Sequence, residues 1–363
     1  MNHFAIEQPA SVVVALSGGL DSSFSALLLQ SAGWQVYGLH FLLPAPEKTI
    51  DARKEAVKQI AAHLMIPLEF MDLQDTFTDQ IIDPFCKAYV QGLTPNPCVM
   101  CNRTIKFEQL LRFAVENRIQ YFATGHYARL IRQQDSGVMG LYRGKDITKD
   151  QSYFLHRLNQ AYLSRAVFPL ADMTKAEVTN RARDLGLSVG TIPESQDICF
   201  LPKDDYRAFV EARLGLDIKR PGDIINSSGK VLGRHTGIYG YTIGQRHGLN
   251  ISSSAPFYVK ELRPETNQVV VGRKEEIYSS VVTACNFNWV EGMPAENRLP
   301  VQAQVRYRHR AASGFLTVLS PDRVMVMFDM PQLAITAGQS LCCYDGDRVI
   351  GGGIIEREVN TSF

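Results

Sequence analysis

The chain has no long hydrophobic run. None of its 363 residues lies in a stretch approaching the roughly 18 to 20 apolar residues that a membrane helix requires. Its N-terminus lacks the basic start and apolar core of a secretory signal. An excess of one charge is also missing, because 38 Lys and Arg face 37 Asp and Glu, so only a local basic patch could attract nucleic acid. These absences predict a cytoplasmic protein with no membrane partner.

A disulfide framework is not expected either. The chain has seven cysteines, an odd number spread over a long sequence that is 45% hydrophobic and 21% charged. Such a composition is typical of a globular protein, and the length favours two or three domains. In a reducing compartment, the close pair Cys98 and Cys101 indicates metal or redox chemistry.

The two halves of the sequence have different patterns. In the first half strand and helix signals alternate, which predicts an α/β domain with a doubly wound parallel sheet. Its strands are expected at 12–16, 35–41, 67–72 and 121–124, and its helices at 21–32, 52–64 and 103–118.

After about residue 200, short apolar runs are separated by turn residues, which predicts antiparallel, barrel-like units. The runs lie at 257–262, 268–271, 301–307, 314–319 and 323–328, and Asp345-Gly346 is a hairpin signal. We therefore expect three domains: a catalytic domain at 1–203, a small central β-rich domain at 204–275, and a C-terminal antiparallel β-barrel at 276–363.

The string VVVALSGGLDSS, residues 12–23, joins a buried strand to a helix through a loop with little side chain. It lacks both the GxxxxGK pattern of a Walker loop and the GxGxxG pattern of dinucleotide-binding domains. Gly18 and Gly19 allow backbone to approach phosphate oxygens, and a helix starting there directs N–H groups at an anion. The loop is interpreted as a phosphate cradle; the alternative is a plain strand-to-helix turn.

The SGGLDSS string resembles the SGGxDS signature of the ATP pyrophosphatase (PP-loop) superfamily. That resemblance implies cleavage of ATP between its α and β phosphates, with Asp21 helping to hold Mg²⁺. The ATP-binding residues implied for this loop are Ala15, Leu16, Ser17, Gly18, Gly19, Leu20, Asp21 and Ser22.

The segment TPNPCVMCNRTIKFEQLL begins at Thr94. Its prolines suit a helix start near Pro97 with Asn96 as the cap, which would place Cys98 and Cys101 on one helix face. The positive end of that helix is expected to lower the pKa of both thiols. The alternative is two small side chains packing a short turn. Cys199, in PESQDICFLP, is by sequence alone most simply a buried structural cysteine.

Further motifs resemble those of the tRNA-specific 2-thiouridylase family, in the same order and over nearly the whole chain. They are TPNPxxxCN with IKF, TGHYAR at 124–129, KDQSYFL at 149–155, SQDICF at 195–200, YTIGQRxGL at 241–249, VRYRH at 305–309 and YDGDxxxGGG near the C-terminus. The resemblance implies an adenine nucleotide alpha hydrolase-like catalytic domain.

The activity that the resemblance implies is ATP-dependent sulfur transfer to the wobble uridine of Lys, Glu and Gln tRNAs. The uracil O2 would be adenylated, and a persulfide on Cys199 would supply the sulfur. Cys101 would act as the nucleophile that closes a disulfide with Cys199, giving 2-thiouridine, AMP and pyrophosphate. The sulfur would come from a cysteine desulfurase through a carrier protein.

The resemblance also implies contact residues. Asn96, Pro97 and Cys98 would meet the target base, and Phe41 and Gly125 the nucleotide. Those implied for tRNA binding are His126, Lys149, Asp150, Gln151, Arg306, Tyr307 and Gln339. For Arg306 and Tyr307 the residues agree, since cations around an aromatic ring suit phosphates and unpaired bases.

One departure leaves the mechanism open. Many family members carry Asp where this chain has Cys98, so Cys98, Cys101 and Cys199 could instead hold a [4Fe–4S] cluster that delivers the sulfur. Two other functions also remain as alternatives: another PP-loop adenylating ligase, and a non-catalytic RNA-binding or Fe–S protein.

Overall fold

The computed structural model describes residues 10–187, 198–201 and 205–357. Their strands form three sheets of five, four and eight strands. No helix in these three ranges is long and apolar enough to cross a membrane.

The five-stranded sheet is parallel, with the order β3-β2-β1-β4-β7, as predicted for the first half. Its strands are β1 (Ser11–Ala15), β2 (Gln35–Leu42), β3 (Leu68–Asp72), β4 (Tyr121–Ala123) and β7 (Ala166–Val167). The central strand β1 is a run of valines that are fully buried, since helices cover both faces of the sheet. Strand β1 lies between β2 and β4, and the strand order reverses at this point of the sheet. Such a reversal opens a crevice at the carboxyl ends of the strands.

Seven helical segments accompany the sheets in the described part of the chain. They are α1 (Leu20–Ser31), α2 (Glu47–Leu64), α3 (residues 74–90), α4 (residues 97–116), α5 (Gln160–Leu163), α6 (Lys175–Asp184) and α7 (Tyr206–Leu214), with short 3₁₀ turns elsewhere. Helix α1 agrees with its prediction to within one residue at each end, whereas α2 begins well before residue 52, directly after Pro46.

Helix α4 differs from its prediction. The sequence favoured a separate helix from residue 103, but one continuous helix runs through Pro97–Cys101, a π-helical stretch Asn102–Phe107 and Glu108–Glu116. The wider turn places Ile105 and Phe107 in the core together with Leu110. As a consequence, the cysteines lie on the first turn of a long anchored helix.

A hairpin turns around residues 135–137 between β5 (Ala128–Arg132) and β6 (Met139–Arg143), with Gly137 at a φ of 69°. It belongs to the eight-stranded sheet, because β6 pairs with β17 (Arg348–Ile355). The two halves of the chain are therefore joined through one sheet.

The central sheet has the order β10-β11-β8-β9, from β8 (Gly222–Asn226), β9 (Val231–His235), β10 (Tyr258–Arg263) and β11 (Gln268–Gly272). The sequence pattern indicated an antiparallel unit, which is wrong for one pair: β11 runs parallel to β8. A loop of more than 20 residues between β9 and β10 allows this crossover, and no residue pattern marks strand direction.

Six antiparallel strands close a C-terminal barrel, as predicted, since β12 pairs with both β15 and β17. The strands are β12 (Tyr278–Trp289), β13 (Arg298–Gln304), β14 (Ala312–Ser320), β15 (Arg323–Leu333), β16 (Ser340–Asp345) and β17 (Arg348–Ile355). The Asp345-Gly346 turn is confirmed, with Gly346 at a φ of 58°. Strand β13 ends at Gln304, so residues 305–307 are a bend rather than the strand predicted for them.

Candidate active site

The loop between β1 and α1 is held open by its own serines. The Ser22 hydroxyl accepts from the Ser17 amide at 3.1 Å and donates to the Gly19 carbonyl at 3.0 Å. Gly18 has a φ of 85°, a conformation that a side chain would strain. No side chain caps the N-terminus of α1, so its first amides face the crevice, as a phosphate cradle requires.

Asp21 is the charged group of this loop, and it is paired. Both of its carboxylate oxygens lie within 2.8 Å of Lys175 Nζ, and Oδ1 also accepts from the Tyr127 hydroxyl at 2.8 Å. Lys175 is the first residue of α6, the helix capped by Thr174. A Mg²⁺ ion could use this carboxylate only if Lys175 moved, so the residues present do not offer an open metal site at Asp21.

Gly125 follows strand β4 and touches the loop from the opposite side. A Cβ at this position would lie 2.9 Å from the Asp21 carbonyl carbon and 3.0 Å from the Ser22 nitrogen. These distances are shorter than ordinary contacts, so only glycine allows the two backbones to approach this closely. Gly125, which is predicted to contact the nucleotide, is thus packed directly against the β1–α1 loop.

Phe41 lies near the end of β2, half-buried between the main core of the first domain and the cluster that contains Cys101. An aromatic side chain at a carboxyl end of the sheet suits an adenine ring. The nucleotide contact predicted for Phe41 stays a prediction.

Cys98 and Cys101 lie on the first turn of α4, where the sequence placed them. All seven cysteines of the chain are described, and none of them is in a disulfide bond. Cys101 is 8% exposed, Cys98 is half-buried and Cys199 is exposed. Ile198 and Phe200, on either side of Cys199, pack against the hydrophobic cluster that contains Cys101, so the fold brings the distant Cys199 near the pair.

The prediction that the helix end lowers the thiol pKa values is wrong for this structure. Burial raises the pKa of Cys98 to about 11 and that of Cys101 to about 12. Burial also raises the pKa of Cys199, although one side of this residue is open to solvent. The loss of hydration around each sulfur outweighs the partial positive charge of the helix N-terminus. The thiols of Cys98 and Cys101 are therefore protonated at neutral pH.

Lys106 opposes this effect of burial. Its charge lowers the pKa of each of the three thiols more than any other charge does. Burial lowers the pKa of His126, and Lys106 lowers it further. The His126 ring packs 5.9 Å from the Phe107 ring. One half-buried cation therefore faces all three sulfurs, at a place where a thiolate would need stabilisation.

Replacing Lys106 with Met is expected to slow alkylation of Cys98 and Cys101 by roughly 3- to 10-fold at any pH below their pKa values. Removing the cation raises each thiol pKa further, so the thiolate fraction falls; above the pKa the two proteins converge. Iodoacetamide labelling from pH 7 to 10, read by peptide mass spectrometry, measures this. Lys58→Met on the exposed face of α2 is the control, and equal rates for both variants would refute the role.

The segment carrying Cys199 is anchored by its neighbour. The Phe200 ring lies 5.8 Å from Phe77, 5.3 Å from Phe85 and 5.5 Å from Phe209, centroid to centroid. These rings belong to α3 and α7 and share a hydrophobic cluster with Cys101. Residues 195–197 of the predicted SQDICF motif lie outside the described residues.

Within residues 10–187, 198–201 and 205–357, no three side chains of His, Cys, Asp or Glu are placed to hold a metal ion. The [4Fe–4S] cluster given as an alternative for Cys98, Cys101 and Cys199 stays a prediction.

Asn96 and Pro97 immediately precede the cysteines, as their predicted contact with the target base requires. Asn96 occupies the N-cap position of α4, but its side chain makes no capping hydrogen bond. It is hydrogen-bonded instead to the Tyr153 hydroxyl. The base contact of Asn96, Pro97 and Cys98 stays a prediction.

The residues predicted to bind tRNA in the first domain are largely engaged within the protein. His126 is buried and 2.7 Å from the Thr124 hydroxyl. Asp150 pairs with Arg143 at 3.0 Å and accepts from Ser152, and Gln151 Oε1 accepts from the Tyr127 amide at 3.0 Å. Their RNA contacts, and that of the half-buried Lys149, stay predictions.

Tyr307 is 37% exposed, and its ring packs 4.3 Å from Phe154. Arg306 beside it donates to the Leu333 carbonyl at 3.1 Å. Gln339 lies elsewhere, directly before β16, where its side-chain Nε2 donates to the Thr94 carbonyl at 3.0 Å. The RNA contacts predicted for these three residues also stay predictions.

Four residues of this site were missed in the sequence: Tyr127, Lys175, Lys106 and Phe200. Tyr127 and Lys175 act on Asp21 from 106 and 154 residues away. Tyr127 lies inside TGHYAR and Phe200 inside SQDICF, but these motifs indicated roles only for neighbouring residues. Lys175 stood in no motif, and only the fold shows what it pairs with.

Three family models match the chain in succession. The "tRNA methyl transferase HUP domain" matches residues 10–203, the "tRNA methyl transferase PRC-barrel domain" 207–273, and the "Aminomethyltransferase beta-barrel domain" 279–355. The first match covers the parallel sheet, the β1–α1 loop and the three cysteines Cys98, Cys101 and Cys199.

Curated relatives match over nearly their whole length. Proteins called tRNA-specific 2-thiouridylase MnmA from Carboxydothermus hydrogenoformans and Syntrophotalea carbinolica are 41% and 43% identical, over 96% of this chain and 98% and 99% of theirs. The protein of the same name from Desulforudis audaxviator is 43% identical over 95% of this chain and 98% of its own. With such identity over both chains, this protein belongs to the tRNA-specific 2-thiouridylase family.

Proposed function

We propose that the protein is an ATP-dependent tRNA-uridine 2-sulfurtransferase that uses a persulfide relay between Cys199 and Cys101. The observation that carries this proposal is that the β1–α1 loop, which has the features of a phosphate cradle, and three thiols lie in the same domain. The turn at residues 124–127 links them, since Gly125 and Tyr127 touch the Asp21 loop and His126 packs on α4.

The first step is adenylation. ATP binds along Ala15–Ser22, with its phosphates against the open amides of α1 and its adenine near Phe41 and Gly125. The O2 of the wobble uridine attacks the α-phosphorus, and pyrophosphate leaves. Lys175, which pairs with Asp21 in this structure, would exchange that carboxylate for a phosphate oxygen when ATP binds. The product is an O2-adenylated uracil, whose leaving group is AMP.

The second step is sulfur transfer. The terminal sulfur of a Cys199 persulfide attacks C2 of the adenylated base, and AMP leaves. The Cys101 thiolate then attacks Sγ of Cys199, which forms a Cys101–Cys199 disulfide and breaks the bond to the transferred sulfur. Two electrons pass from the cysteines to that sulfur, so the base becomes 2-thiouridine. An external thiol reductant and a new persulfide donor restore the enzyme.

The partners follow from this chemistry. A sulfur-carrier protein supplied by a cysteine desulfurase would load Cys199, whose exposed position suits transfer from another protein. The second partner is a tRNA of the Lys, Glu or Gln type. Its anticodon base would enter beside Asn96, Pro97 and Cys98 on the first turn of α4. Arg306 and Tyr307 would contact the RNA from the barrel side, with Lys149, Asp150, Gln151 and His126 nearer the site.

A purified reaction tests the function. The protein is incubated with ATP, Mg²⁺, a persulfide donor and tRNA, and the digested tRNA is analysed for 2-thiouridine together with AMP. The expected result is one AMP for each 2-thiouridine formed, both dependent on tRNA. Ordinary ligation without thiolated product would favour another PP-loop ligase, and tight RNA binding without ATP turnover would favour a non-catalytic protein.

A further inference from the structure

Residues 91–96 lead into the cysteine helix and touch the other two domains. Gly92 has a φ of 67°, and a Cβ there would lie 3.2 Å from both Leu262 Cβ and Pro264 Cγ of the central domain. The Gln91 carbonyl accepts from Arg357, just after the last barrel strand. All three domains therefore meet at the segment that sets where Cys98 and Cys101 begin.

Thr94 is held by both of its backbone polar groups. Its amide donates to the Ala337 carbonyl at 2.9 Å, and its carbonyl accepts from Gln339 Nε2 at 3.0 Å. Between these partners Gly338 has a φ of 90°, and a Cβ there would lie 2.9 Å from the Thr94 nitrogen. The barrel turn is thus shaped to fit closely against Thr94.

A second connection lies two residues further along. The buried Tyr153 hydroxyl donates to the Ser340 carbonyl at 2.9 Å and is hydrogen-bonded to the Asn96 side chain. The turn at 337–340 thereby reaches the segment at Thr94 directly and at Asn96 through Tyr153.

The chain between these anchors and the thiols is stiff. Pro95 and Pro97 each have φ fixed near −65° and lack an N–H group, so neither can donate a backbone hydrogen bond. The backbone of this stretch is held at Thr94. A displacement of Thr94 passes along a rigid tetrapeptide to Cys98, and from there to Cys101 on the same helix.

We propose that Gln339 is a positioning residue for the reacting thiols: by holding the Thr94 carbonyl it fixes the entry of the cysteine helix. This inference rests on the proposed function in one respect, namely that Cys101 is the thiol that reacts. Gln339 touches no reacting atom, and its effect passes through Thr94.

The test separates rate from affinity. Gln339→Ala is expected to lower the single-turnover rate of 2-thiouridine formation at saturating tRNA by about 10-fold, since one lost hydrogen bond and a small displacement of the thiols are involved. The Kd for tRNA should stay within about twofold. Gln339→Glu keeps the shape of the side chain, but its carboxylate cannot donate a hydrogen bond to the Thr94 carbonyl. It is expected to lower the rate by a similar factor, and it replaces the alanine variant in the test if that variant folds poorly. Gln302→Ala, on the exposed face of β13, is the control.

A second readout does not depend on activity. In both Gln339 variants, amides of residues 93–101 should exchange with deuterium faster than in the wild type, and the alkylation rate of Cys98 should change. A higher Kd for tRNA with an unchanged saturating rate would overturn the proposal in favour of RNA contact. Unchanged exchange and rate would overturn it as well. If the wild type makes no 2-thiouridine, the proposed function fails, while the exchange measurement still decides the role of Gln339.

Discussion

Replacing Cys101 with Ser is expected to reduce 2-thiouridine formation by about 1,000-fold or more, while tRNA-dependent release of pyrophosphate stays within about threefold. A serine hydroxyl cannot attack Sγ of Cys199, but the ATP loop does not use the thiol. Single-turnover assays with persulfide-loaded protein measure both products.

Three further variants sharpen that experiment. Cys199→Ser should lose thiolation to the same extent, because it removes the sulfur carrier. Cys98→Ser should lose less, since Cys98 is outside the relay. Cys285→Ser, on barrel strand β12, is the control. Equal and complete loss in the Cys98, Cys101 and Cys199 variants would indicate a cluster with three cysteine ligands rather than a relay.

Replacing Gly125 with Ala is expected to reduce adenylation by about 100-fold, because the new Cβ would be 2.9 to 3.0 Å from the backbone of Asp21 and Ser22. The loop must then move away from its contact with Lys175 and Tyr127. The measurement is pyrophosphate release with ATP and tRNA.

The matched control is Gly233→Ala in β9, at the edge of the central domain's sheet, where the nearest atom to a new Cβ is 3.9 Å away. Both variants add one methyl group, but only Gly125→Ala places it closer to backbone than an ordinary contact. If Gly125→Ala keeps wild-type pyrophosphate release, the ATP site does not lie between this turn and the loop.

Much of the fold was predictable because the signals are local. The strand-loop-helix at residues 11–31 is specified by three buried valines, two glycines and an apolar helix face. The hairpins at 137 and 346 are specified by glycine at positions of positive φ. The alternation of strand and helix was enough to predict the parallel sheet.

Other features were not predictable because they depend on packing between distant segments. The π-helical stretch in α4 occurs where Ile105 and Phe107 both enter the core, and no residue in 97–116 marks it. The pairing of β6 with β17 joins residues more than 200 positions apart.

The candidate site shows the same division. The loop, the cysteine pair and Cys199 could be identified from motifs, but the pKa direction could not. The helix-end effect is readable in a sequence, whereas burial, which reverses it for Cys101, exists only in the fold. The pairing of Lys175 with Asp21 likewise needed α6 to be placed against α1.

This buried, protonated Cys101 has a consequence for the mechanism. Its thiolate is scarce in the free protein at neutral pH, so the proposed relay would depend on Lys106 and on a rearrangement when ATP and tRNA bind.

The most direct test is a single turnover of persulfide-loaded protein with ATP and tRNA, made anaerobically without reductant and stopped in acid. Peptide mass spectrometry and assays for iron and acid-labile sulfide are run on the same sample. The account predicts one Cys101–Cys199 disulfide for each 2-thiouridine, with no requirement for iron. Full formation of 2-thiouridine with both cysteines still reduced, dependent on a stoichiometric cluster, would contradict it.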